Sequence, residues 1–295
     1  MPMKPSLKPS QEATNAIIRL ALQEDAPWGD LTSQTLIPAD ATVTAQLVAR
    51  EPGILCGEDL ITTAFALTDP TVRTTFHLHD ADPFAANTTL ATIEGPARAI
   101  LQAERIALNF AQRLSGIATL TAAYVAQTAG TNARITDTRK TTPTLRLFER
   151  YAVRCGGGHN HRFSLSDAVM AKDNHLALLA TTLPPTKLAD ALRNAHAQLP
   201  HTTHIEVEID TLDQLPALEP LLGNTIHTLL LDNFTLDDLR TAVIRIAHRA
   251  LAEASGGITL DRIAAIAATG VDIISVGALT HSPRALDLGL DIERI

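Results

Sequence analysis

The order of apolar and polar positions changes between the two halves of the chain. Up to about residue 96, a helical pattern over residues 12–23 precedes short alternating runs such as VTAQLVAR (43–50), which EPG and DP interrupt. This pattern predicts a small antiparallel sheet with helices, an α+β layer. Residues 97–127 predict one long helix, because their apolar residues recur at helical spacings. Those residues are Ile106, Phe110, Leu114 and Ile117.

Beyond residue 130, short apolar runs recur, and helical patterns such as TLDDLRTAVIRIAHRAL and TLDRIAAIAATG separate most of them. The runs are ARIT (133–136), DAVMA (167–171), HIEVEI (204–209), HTLLL (227–231), ALAEA (250–254) and DIISV (272–276). Strands as apolar as these, in alternation with helices, predict a parallel sheet that is covered on both faces.

The residues just past the predicted strands distinguish a barrel from an open sheet. They include Lys140, Lys172, Asp232, Ser255 and Gly277. In a β/α barrel the carboxyl ends of all strands meet at one mouth, where catalytic loops gather. An open sheet would bind ligands at a switch point instead, and the chain has no GxGxxG motif to mark one. A barrel is therefore favoured.

The composition is that of an ordinary globular protein and limits the classes of function. The chain has 295 residues, of which 45% are hydrophobic and 19% charged. No apolar run has the length of a signal peptide or a membrane span, and Cys56 and Cys155 are too few for a disulfide framework. We therefore expect a cytoplasmic protein with reduced thiols. A net charge of -8 argues against nucleic acid as a partner, although a cleft can still be locally positive.

The stretch DTRKTTPTLRLFERYAVRCGGGHNHR (137–162) runs against that negative charge, since it holds six Arg or Lys and only two acids. Such a run is most often a solvated surface. Here Arg139 and Lys140 follow a predicted strand and three glycines precede HNHR. This favours an anion site that Arg139 forms with Arg162 and Lys172. The other arginines lie four apart and are interpreted as one helix face that needs no role beyond the surface: Arg146, Arg150 and Arg154.

The histidines of HNHR raise the alternative of a metal centre, because HxH at a strand end can begin a metallohydrolase site. A barrel site of that kind needs further histidines at later strand ends. His204 and His227 lie at predicted strand starts, so they do not complete the set. A zinc site is therefore not favoured. We interpret His161 as a hydrogen-bonding residue beside Arg162, and His159 as a packing residue.

Acidic residues on two predicted strands suit a metal of a different class. Glu206 and Glu208 lie on the same side of one strand, because side chains alternate with period two, and Asp232 ends another strand. The alternative is a pair of outward-facing glutamates on an edge strand. In a buried strand the carboxylates need cations. Glu208 and Asp232 would then suit Mg²⁺, which keeps water and phosphate ligands.

The segments EASGGITLDR and SVGALTHS are interpreted as phosphate-binding loops. Each follows a predicted strand, and Thr259 in the first could cap the next helix. Glycine allows a phosphate to approach the backbone, and N–H groups at a helix N-terminus bind anions. Phosphate sites of β/α barrels often use the loops after the last two strands, which is where these segments lie.

Taken together, the segments closely resemble the quinolinate phosphoribosyltransferase family, also called nicotinate-nucleotide pyrophosphorylase (carboxylating). The motifs extend over nearly the whole chain: EDAPWGDLTS, AERIALNFAQRLSGIATLT, TRKTTPTLR, GGGHNHR, AKDNH, IEVEI, LLLDN, EASGGI and ISVGALTHS. One departure is Thr144, where the family usually has glycine after TTP. The resemblance implies an α/β protein. An α+β open-faced sandwich domain (1–115, completed by 280–295) would accompany an incomplete seven-stranded β/α barrel (116–279).

The resemblance also implies an activity in the biosynthesis of pyridine nucleotides and NAD. Ribose 5-phosphate would pass from phosphoribosyl pyrophosphate to quinolinate with loss of CO2 and pyrophosphate, and Mg²⁺ would be required. The implied partners are these two substrates and a second subunit, in a homodimer or a hexamer (a trimer of dimers).

The family's site residues carry over by position. The quinolinate carboxylates would contact Arg139, His161, Arg162 and Lys172, with Arg105 of the partner subunit. The catalytic residues Lys140, Glu208 and Asp232 would surround the ribose and pyrophosphate, and the two acids would help to hold Mg²⁺. Thr138 would be a further substrate contact. The 5-phosphate would lie against Ser255, Gly256, Gly277 and Ala278.

Two other functions compete with this one. A paralogue of the same fold, linked to molybdenum transport genes, acts on an unknown substrate, but the set of quinolinate contacts is intact here. A non-enzymatic anion-binding module would not need Glu208 and Asp232 beside the cations. Turnover of quinolinate separates the three.

Overall fold

The computed structural model describes residues 8–182 and 187–292. The chain forms two compact units. The first contains the chain up to Ala122, the segment Thr141–Gly157 and the chain from Leu279 onward, and the second contains Ala123–Lys140 and Gly158–Ala278. The chain therefore leaves the second unit directly after Lys140 and returns to it at Gly158.

Helices and short strands alternate along the described residues. The elements before residue 130 are α1 (Gln11–Asp25), α2 (Leu31–Leu36), β1 (Thr42–Ala49), β2 (Gly53–Ile54), α3 (Glu58–Thr68), β3 (Arg73–Phe76), β4 (Pro83–Phe84), β5 (Thr89–Pro96) and α4 (Ala97–Ala126). The later elements are β6 (Arg134–Thr136), α5 (Arg146–Cys155), β7 (Val169–Ala171), α6 (Asp173–Thr182), α7 (Leu188–Gln198), β8 (Ile205–Ile209), α8 (Leu215–Leu218), β9 (Thr228–Asp232), α9 (Leu236–Ile246), β10 (Leu251–Ser255), α10 (Ile263–Ala267), β11 (Ile273–Ser275), α11 (Ala278–His281) and β12 (Leu288–Ile292).

An antiparallel sheet of four strands, in the order β12-β1-β5-β3, belongs to the first unit. Every second residue over the last part of β1 is buried (Ala45, Leu47 and Ala49), as the alternating sequence predicts. β12 pairs with β1 and places Leu290 opposite Leu47. The C-terminal strand therefore supplies one edge of a sheet that is otherwise built from residues before position 97.

The start of α3 is capped from a distance. Its N-cap residue, Gly57, has a φ of 118° and no side chain to offer. Oδ1 of Asp80 accepts instead from the N–H groups of Gly57 (2.8 Å) and Glu58 (3.1 Å), and Tyr151 donates to Oδ2 (2.8 Å). Burial raises the pKa of Asp80, although these hydrogen bonds act to lower it. Asp80 thus joins the cap of α3 to helix α5, with the free thiols of Cys56 and Cys155 buried beside it.

Helix α5 is fixed in the first unit by a buried ion pair. Glu149 has no exposed side-chain surface, and its Oε1 accepts from Nε of Arg113 at 2.9 Å. Thr142 donates its backbone N–H to Oε2 of Glu149 at 3.0 Å. The interpretation of the arginines at 146, 150 and 154 as one solvated face was wrong for Arg150, which is only 9% exposed. Helix α5 packs within the first unit, and this packing buries Arg150.

A parallel sheet of six strands, in the order β6-β11-β10-β9-β8-β7, belongs to the second unit. All five residues of β8 are buried, as are the first four of β9. Helix α9 begins after Thr235, whose side chain accepts from the N–H of Asp238 at 3.2 Å. The continuous apolar runs of the sequence are therefore the strands of a sheet that is covered on both faces.

The predicted α/β fold is confirmed, with one parallel and one antiparallel sheet. The parallel sheet has six strands where seven were expected. A single parallel bridge between Thr136 and His159 extends it beyond β6, at the position of a further strand. In the described part of the chain, no helix is long and apolar enough to span a membrane.

Candidate active site at the carboxyl ends of the parallel strands

A cavity of about 400 Å³ lies at the carboxyl ends of the parallel strands, and we call it the mouth cavity. It brings together nine of the residues that the sequence predicted for the site: Thr138, Arg139, Lys140, His161, Arg162, Lys172, Glu208, Asp232 and Ser255. Four further residues line it: Met170, Leu230, Glu253 and Ser275. All of these residues belong to the second unit.

The register of the strands explains why these side chains meet. Aligned residues of neighbouring parallel strands face the same side of a sheet. Leu230 of β9 is aligned with Glu208 of β8 and with Glu253 of β10, and Asp232 is aligned with Ser255. These side chains all line the mouth cavity. They form successive layers of one interior face.

A buried aspartate joins the two basic loops of the cavity. Asp137 follows β6 directly and has no exposed surface. It accepts from the side chain of Asn160 (2.5 Å) and from the backbone N–H of His161 (2.8 Å). The loop that carries Arg139 and Lys140 is therefore tied to the loop that carries His161 and Arg162. This is the local role of the asparagine in the sequence HNHR.

His161 lies between two buried glutamates. Its Nε2 is 3.1 Å from Oε2 of Glu206 and 3.5 Å from Oε1 of Glu253. Burial would lower the pKa of His161, but its hydrogen bonds and the charge of the two acids outweigh burial and raise the pKa to about 10. Nε2 donates to Glu206, and the backbone N–H of Arg162 points at Nδ1 at 2.7 Å. The ring is therefore held between Glu206 on one side and the backbone of Arg162 on the other.

Arg139 and Arg162 present like charges to the same cavity. Burial, and next the positive charge of Arg139, lower the pKa of Arg162. Nη1 of Arg162 donates to the carbonyl of Ala168 at 2.8 Å, which orients that guanidinium. Among the described residues Nε of Arg139 is buried and has no hydrogen-bond partner. Buried donors are nearly always paired, so this arrangement indicates a site for an anionic ligand.

Three carboxylates stand close together, and two of them, Glu208 and Asp232, line the mouth cavity. Oxygens of Glu208, Asp210 and Asp232 lie within 4.8 Å of one another. Nζ of Lys172 contacts Oε2 of Glu208 at 2.9 Å. Burial, and next the charge of Asp210, raise the pKa of Asp232, against the opposing effect of Lys172 and Lys140. Oxygen ligands of this kind suit a hard divalent cation such as Mg²⁺, so the donor set fits that metal.

The loop after β10, in the segment EASGGITLDR, has a backbone conformation that requires glycine at position 256. Gly256 has a φ of 84°, and a Cβ there would lie 2.3 Å from Oδ1 of Asn233. The N–H of Asn233 also donates to the carbonyl of Ser255 at 2.9 Å. The loop after β10 is therefore packed against the loop after β9. In the second loop Gly277 directly precedes Ala278, the first residue of α11.

A second cavity of about 400 Å³ is lined by residues at the amino ends of the strands, among them Arg134, His204, Thr228 and Leu251. His161, Arg162 and Glu253 line both cavities. Nε2 of His204 and Oγ1 of Thr228 are hydrogen-bonded at 2.8 Å. His204 directly precedes β8 and thus lies at a strand start, away from the mouth, as the sequence indicated.

Arg105 lies on α4 in the first unit, where its side chain is exposed. Its predicted role in the site of a partner subunit stays a prediction. Glu253, Asp137 and Asn160 were not predicted. A signal existed for Glu253, because a charged residue in the apolar run ALAEA shares a strand face with Ser255.

The chain matches proteins of one family over most of its length. Residues 30–115 match the N-terminal domain of quinolinate phosphoribosyl transferase, and residues 117–291 match the C-terminal domain. The nicotinate-nucleotide pyrophosphorylase [carboxylating] of Mycobacterium leprae is 42% identical over 95% of this chain and 98% of its own length. A probable nicotinate-nucleotide pyrophosphorylase of Bacillus subtilis is 41% identical over 91% of this chain and 90% of its own.

Solved structures agree with this relationship. The nicotinate-nucleotide pyrophosphorylase of Francisella tularensis superposes with a TM-score of 0.88 at 37% identity, over 97% of this chain and 98% of that one. The chain belongs to the quinolinate phosphoribosyl transferase family.

Proposed function

We propose that this protein is a quinolinate phosphoribosyltransferase (decarboxylating) of NAD biosynthesis. It converts quinolinate and phosphoribosyl pyrophosphate to nicotinate mononucleotide, CO2 and pyrophosphate. One observation carries the proposal: a single cavity joins a cluster of cations to a cluster of carboxylates, in a chain of this family. Quinolinate and phosphoribosyl pyrophosphate are both anions, and the proposed Mg²⁺ binds with the second. The reaction therefore requires the cations and the carboxylates in the same cavity.

The cations of the mouth cavity bind the quinolinate carboxylates. Arg139 and Arg162 offer planar guanidinium groups that can pair with a carboxylate through two parallel hydrogen bonds. Lys172 adds a point charge, and His161, whose ring Glu206 and Glu253 orient, is a further proposed contact. The unpaired Nε of Arg139 obtains an acceptor when the anion binds.

Lys140, Glu208 and Asp232 act on the ribose and the pyrophosphate, with Thr138 as a further contact. Cleavage of the bond between ribose and pyrophosphate builds positive charge on the sugar and negative charge on the leaving group. Lys140 stabilises the leaving group, and the two carboxylates favour the developing sugar cation. Electrostatic stabilisation by groups already in position is usually the largest catalytic contribution.

Glu208 and Asp232 are the proposed ligands of Mg²⁺, and Asp210 adds a third carboxylate beside them. The metal would neutralise charge on the pyrophosphate when it is bound. The 5-phosphate is proposed to lie against Ser255, Gly256, Gly277 and Ala278. Gly256 has no side chain that could keep the phosphate from the backbone.

The loss of CO2 needs no nucleophile from the protein. Once the ribose is attached, the positively charged pyridine nitrogen stabilises the electron pair that the departing carboxylate leaves on C2, and a proton from solvent then binds to C2. The residues of the cavity hold the ring in place during this step. Arg139, Arg162 and Lys172 therefore serve both the transfer and the decarboxylation.

We propose a homodimer or a trimer of dimers, in which Arg105 completes the site of the partner subunit. We also propose a cytoplasmic location, which the two free thiols support because reduced cysteines persist in a reducing compartment. Cell fractionation checks the location. Light scattering of the purified protein gives the number of subunits.

Turnover of quinolinate tests the proposed function. The protein is mixed with quinolinate, phosphoribosyl pyrophosphate and Mg²⁺, and the ultraviolet absorbance of quinolinate is followed. We expect turnover that EDTA abolishes and added Mg²⁺ restores. Binding of quinolinate without turnover would indicate an anion-binding module. Absence of both would indicate a paralogue with another substrate.

A further inference from the structure

The ion pair between Lys172 and Glu208 joins a half-exposed side chain to a buried one. Nζ of Lys172 is 2.9 Å from Oε2 of Glu208, and the two side chains are 47% and 9% exposed. Glu208 belongs to β8, where it is aligned with Leu230 of β9 and directly follows the residue that pairs with the end of β7. Lys172 follows the end of β7, and four rotatable side-chain bonds separate its ammonium from the backbone. A change in the cavity therefore moves Lys172 rather than Glu208.

Glu208 cannot lose this partner without a replacement. A buried carboxylate is strongly disfavoured when its charge is uncompensated. Carboxylate oxygens of Asp210 and Asp232 lie within 4.8 Å of the same group, which makes an unpaired Glu208 less favourable still. Three carboxylates without the lysine form a set of hard oxygen ligands, and a divalent cation is the replacement that such a set favours.

An anionic substrate in the mouth cavity competes for the same lysine. Lys172 and Glu208 both line this cavity, together with Arg139 and Arg162. Arg162 is already engaged with the carbonyl of Ala168, at 2.8 Å, and is oriented by it. Lys172 is held only through a flexible stem, so its ammonium can turn from Glu208 to a carboxylate of the substrate.

We propose that Lys172 is a positioning residue that couples the binding of quinolinate to the binding of the divalent cation. Without substrate, Lys172 neutralises Glu208 and so weakens the metal site. When quinolinate binds, its carboxylate takes the ammonium, and Glu208 becomes available to the metal. This inference rests on the proposed function, since it assumes that quinolinate occupies the mouth cavity.

The coupling must act equally in both directions. If quinolinate increases the affinity for the cation by some factor, the cation increases the affinity for quinolinate by the same factor. Couplings between two sites commonly amount to about 5- to 150-fold. We expect a factor of about tenfold here, because a single elementary charge leaves the immediate surroundings of Glu208. The two ligands would then occupy the site together more often than separately.

Binding of Mn²⁺ tests this coupling without catalysis. Mn²⁺ replaces Mg²⁺ as the probe, free Mn²⁺ is measured by electron paramagnetic resonance, and quinolinate is added at saturation without phosphoribosyl pyrophosphate, so that no reaction occurs. The complex between Mn²⁺ and free quinolinate is measured separately and subtracted. In the wild type we expect quinolinate to tighten Mn²⁺ binding about tenfold, and Mn²⁺ to tighten quinolinate binding equally.

Three variants separate the exchange of Lys172 from direct contact between substrate and metal. Lys172→Met keeps the length of the side chain without its charge, and it should bind Mn²⁺ more tightly than the wild type even without quinolinate. Saturating quinolinate should add little to that affinity. Glu208→Gln should bind Mn²⁺ weakly under both conditions. Arg240→Met, which breaks an exposed ion pair with Asp237 on α9, should behave as the wild type does.

Two results would overturn the inference. One is an equal affinity of wild type and Lys172→Met for Mn²⁺ without quinolinate. The other is a quinolinate effect of the same size in both proteins, because the substrate would then act on the metal directly. Failure of the proposed function looks different: quinolinate would not bind the wild type, while Lys172→Met would still bind Mn²⁺ more tightly than the wild type.

Discussion

Arg139 is the residue at which the proposed contact with substrate can be tested most cleanly. Its buried Nε has no partner among the described residues, so removing the side chain breaks no hydrogen bond of that nitrogen. We expect Arg139→Ala to weaken quinolinate binding by about 2–5 kcal/mol, the usual cost of leaving one partner of a buried charge pair alone. Isothermal titration with quinolinate measures the effect, and the midpoint of thermal unfolding should change little.

Arg162→Ala should weaken binding over the same range, but it also removes the hydrogen bond to Ala168. The matched control is Arg240→Ala, because this arginine is half exposed and pairs only with an exposed aspartate, Asp237, in the contacts described. Wild-type affinity for quinolinate in Arg139→Ala would show that the proposed contact is wrong.

Thr144 lies where the resemblance leads us to expect a glycine, and its backbone conformation favours that residue. Its φ is 69°, in the left-handed region, where a β-branched residue is strained. We expect Thr144→Gly to stabilise the protein by about 0.5–1 kcal/mol, because relief of strain exceeds the entropy gained by the unfolded chain. Thr144→Ala, which stays strained but loses the branch, should gain less. A Gly variant less stable than the Ala variant in urea unfolding would refute this explanation.

Most of the site could be predicted from the residue types at the strand ends. The contacts between side chains across the interior could not be predicted. Lys172, Glu208 and Asp232 could be placed because the carboxyl ends of parallel strands converge. The position of His161 between Glu206 and Glu253 depends on which side chains share a layer, and this is set by the register of the strands. One sequence without pairing information leaves that register open.

At the scale of elements, the cap of α3 depends on a carboxylate that lies 22 residues from the helix start. Replacing Asp80 with alanine leaves the N–H groups of Gly57 and Glu58 and the hydroxyl of Tyr151 without their acceptor. We expect Asp80→Ala to lower the free energy of unfolding by about 1–3 kcal/mol. Asp80→Asn retains an acceptor oxygen and should cost less. Equal losses in the two variants would contradict the capping role.

The charge of Asp80 also predicts a dependence on pH. Burial raises its pKa in the folded protein, while the unfolded chain keeps a value of about 3.9. Between these two values the folded state holds a proton that the unfolded chain has lost. The stability of the wild type relative to Asp80→Asn therefore falls as the pH rises through this window, and it is constant above the folded pKa. Urea unfolding of both proteins from pH 4 to 8 measures the difference. If the stability of the wild type relative to Asp80→Asn rose toward neutral pH, the folded state would favour the charged carboxylate instead.

Elements with a clear apolar pattern were predictable, whereas pairings and burial that depend on neighbouring elements were not. The apolar runs predicted the six parallel strands, and the alternation in VTAQLVAR predicted β1. The pairing at His159 is a single bridge within a polar and glycine-rich segment, so no apolar pattern marks it. Arg150 is buried because α5 packs into the first unit, and a helical wheel of its own residues cannot reveal that neighbour.

At the scale of the whole molecule, the account requires sites that two subunits share. Arg105→Ala and Lys172→Ala should each be inactive alone. Unfolding and refolding them together allows mixed dimers, in which one site has both defects and the other has neither. With random pairing about half the dimers are mixed, so roughly a quarter of wild-type activity should return. If the subunits demonstrably exchange and no activity returns, Arg105 does not act across an interface.

The central claim is that one cavity carries out both ribosyl transfer and decarboxylation of quinolinate. Release of labelled CO2 from quinolinate labelled in its 2-carboxylate tests it most directly. With phosphoribosyl pyrophosphate and Mg²⁺ we expect CO2, pyrophosphate and nicotinate mononucleotide in equal amounts. Without phosphoribosyl pyrophosphate, or with Arg139→Ala at low quinolinate, little or no label should be released. Release of CO2 that does not depend on phosphoribosyl pyrophosphate, or a ribosylated product that keeps both carboxylates, would contradict the account.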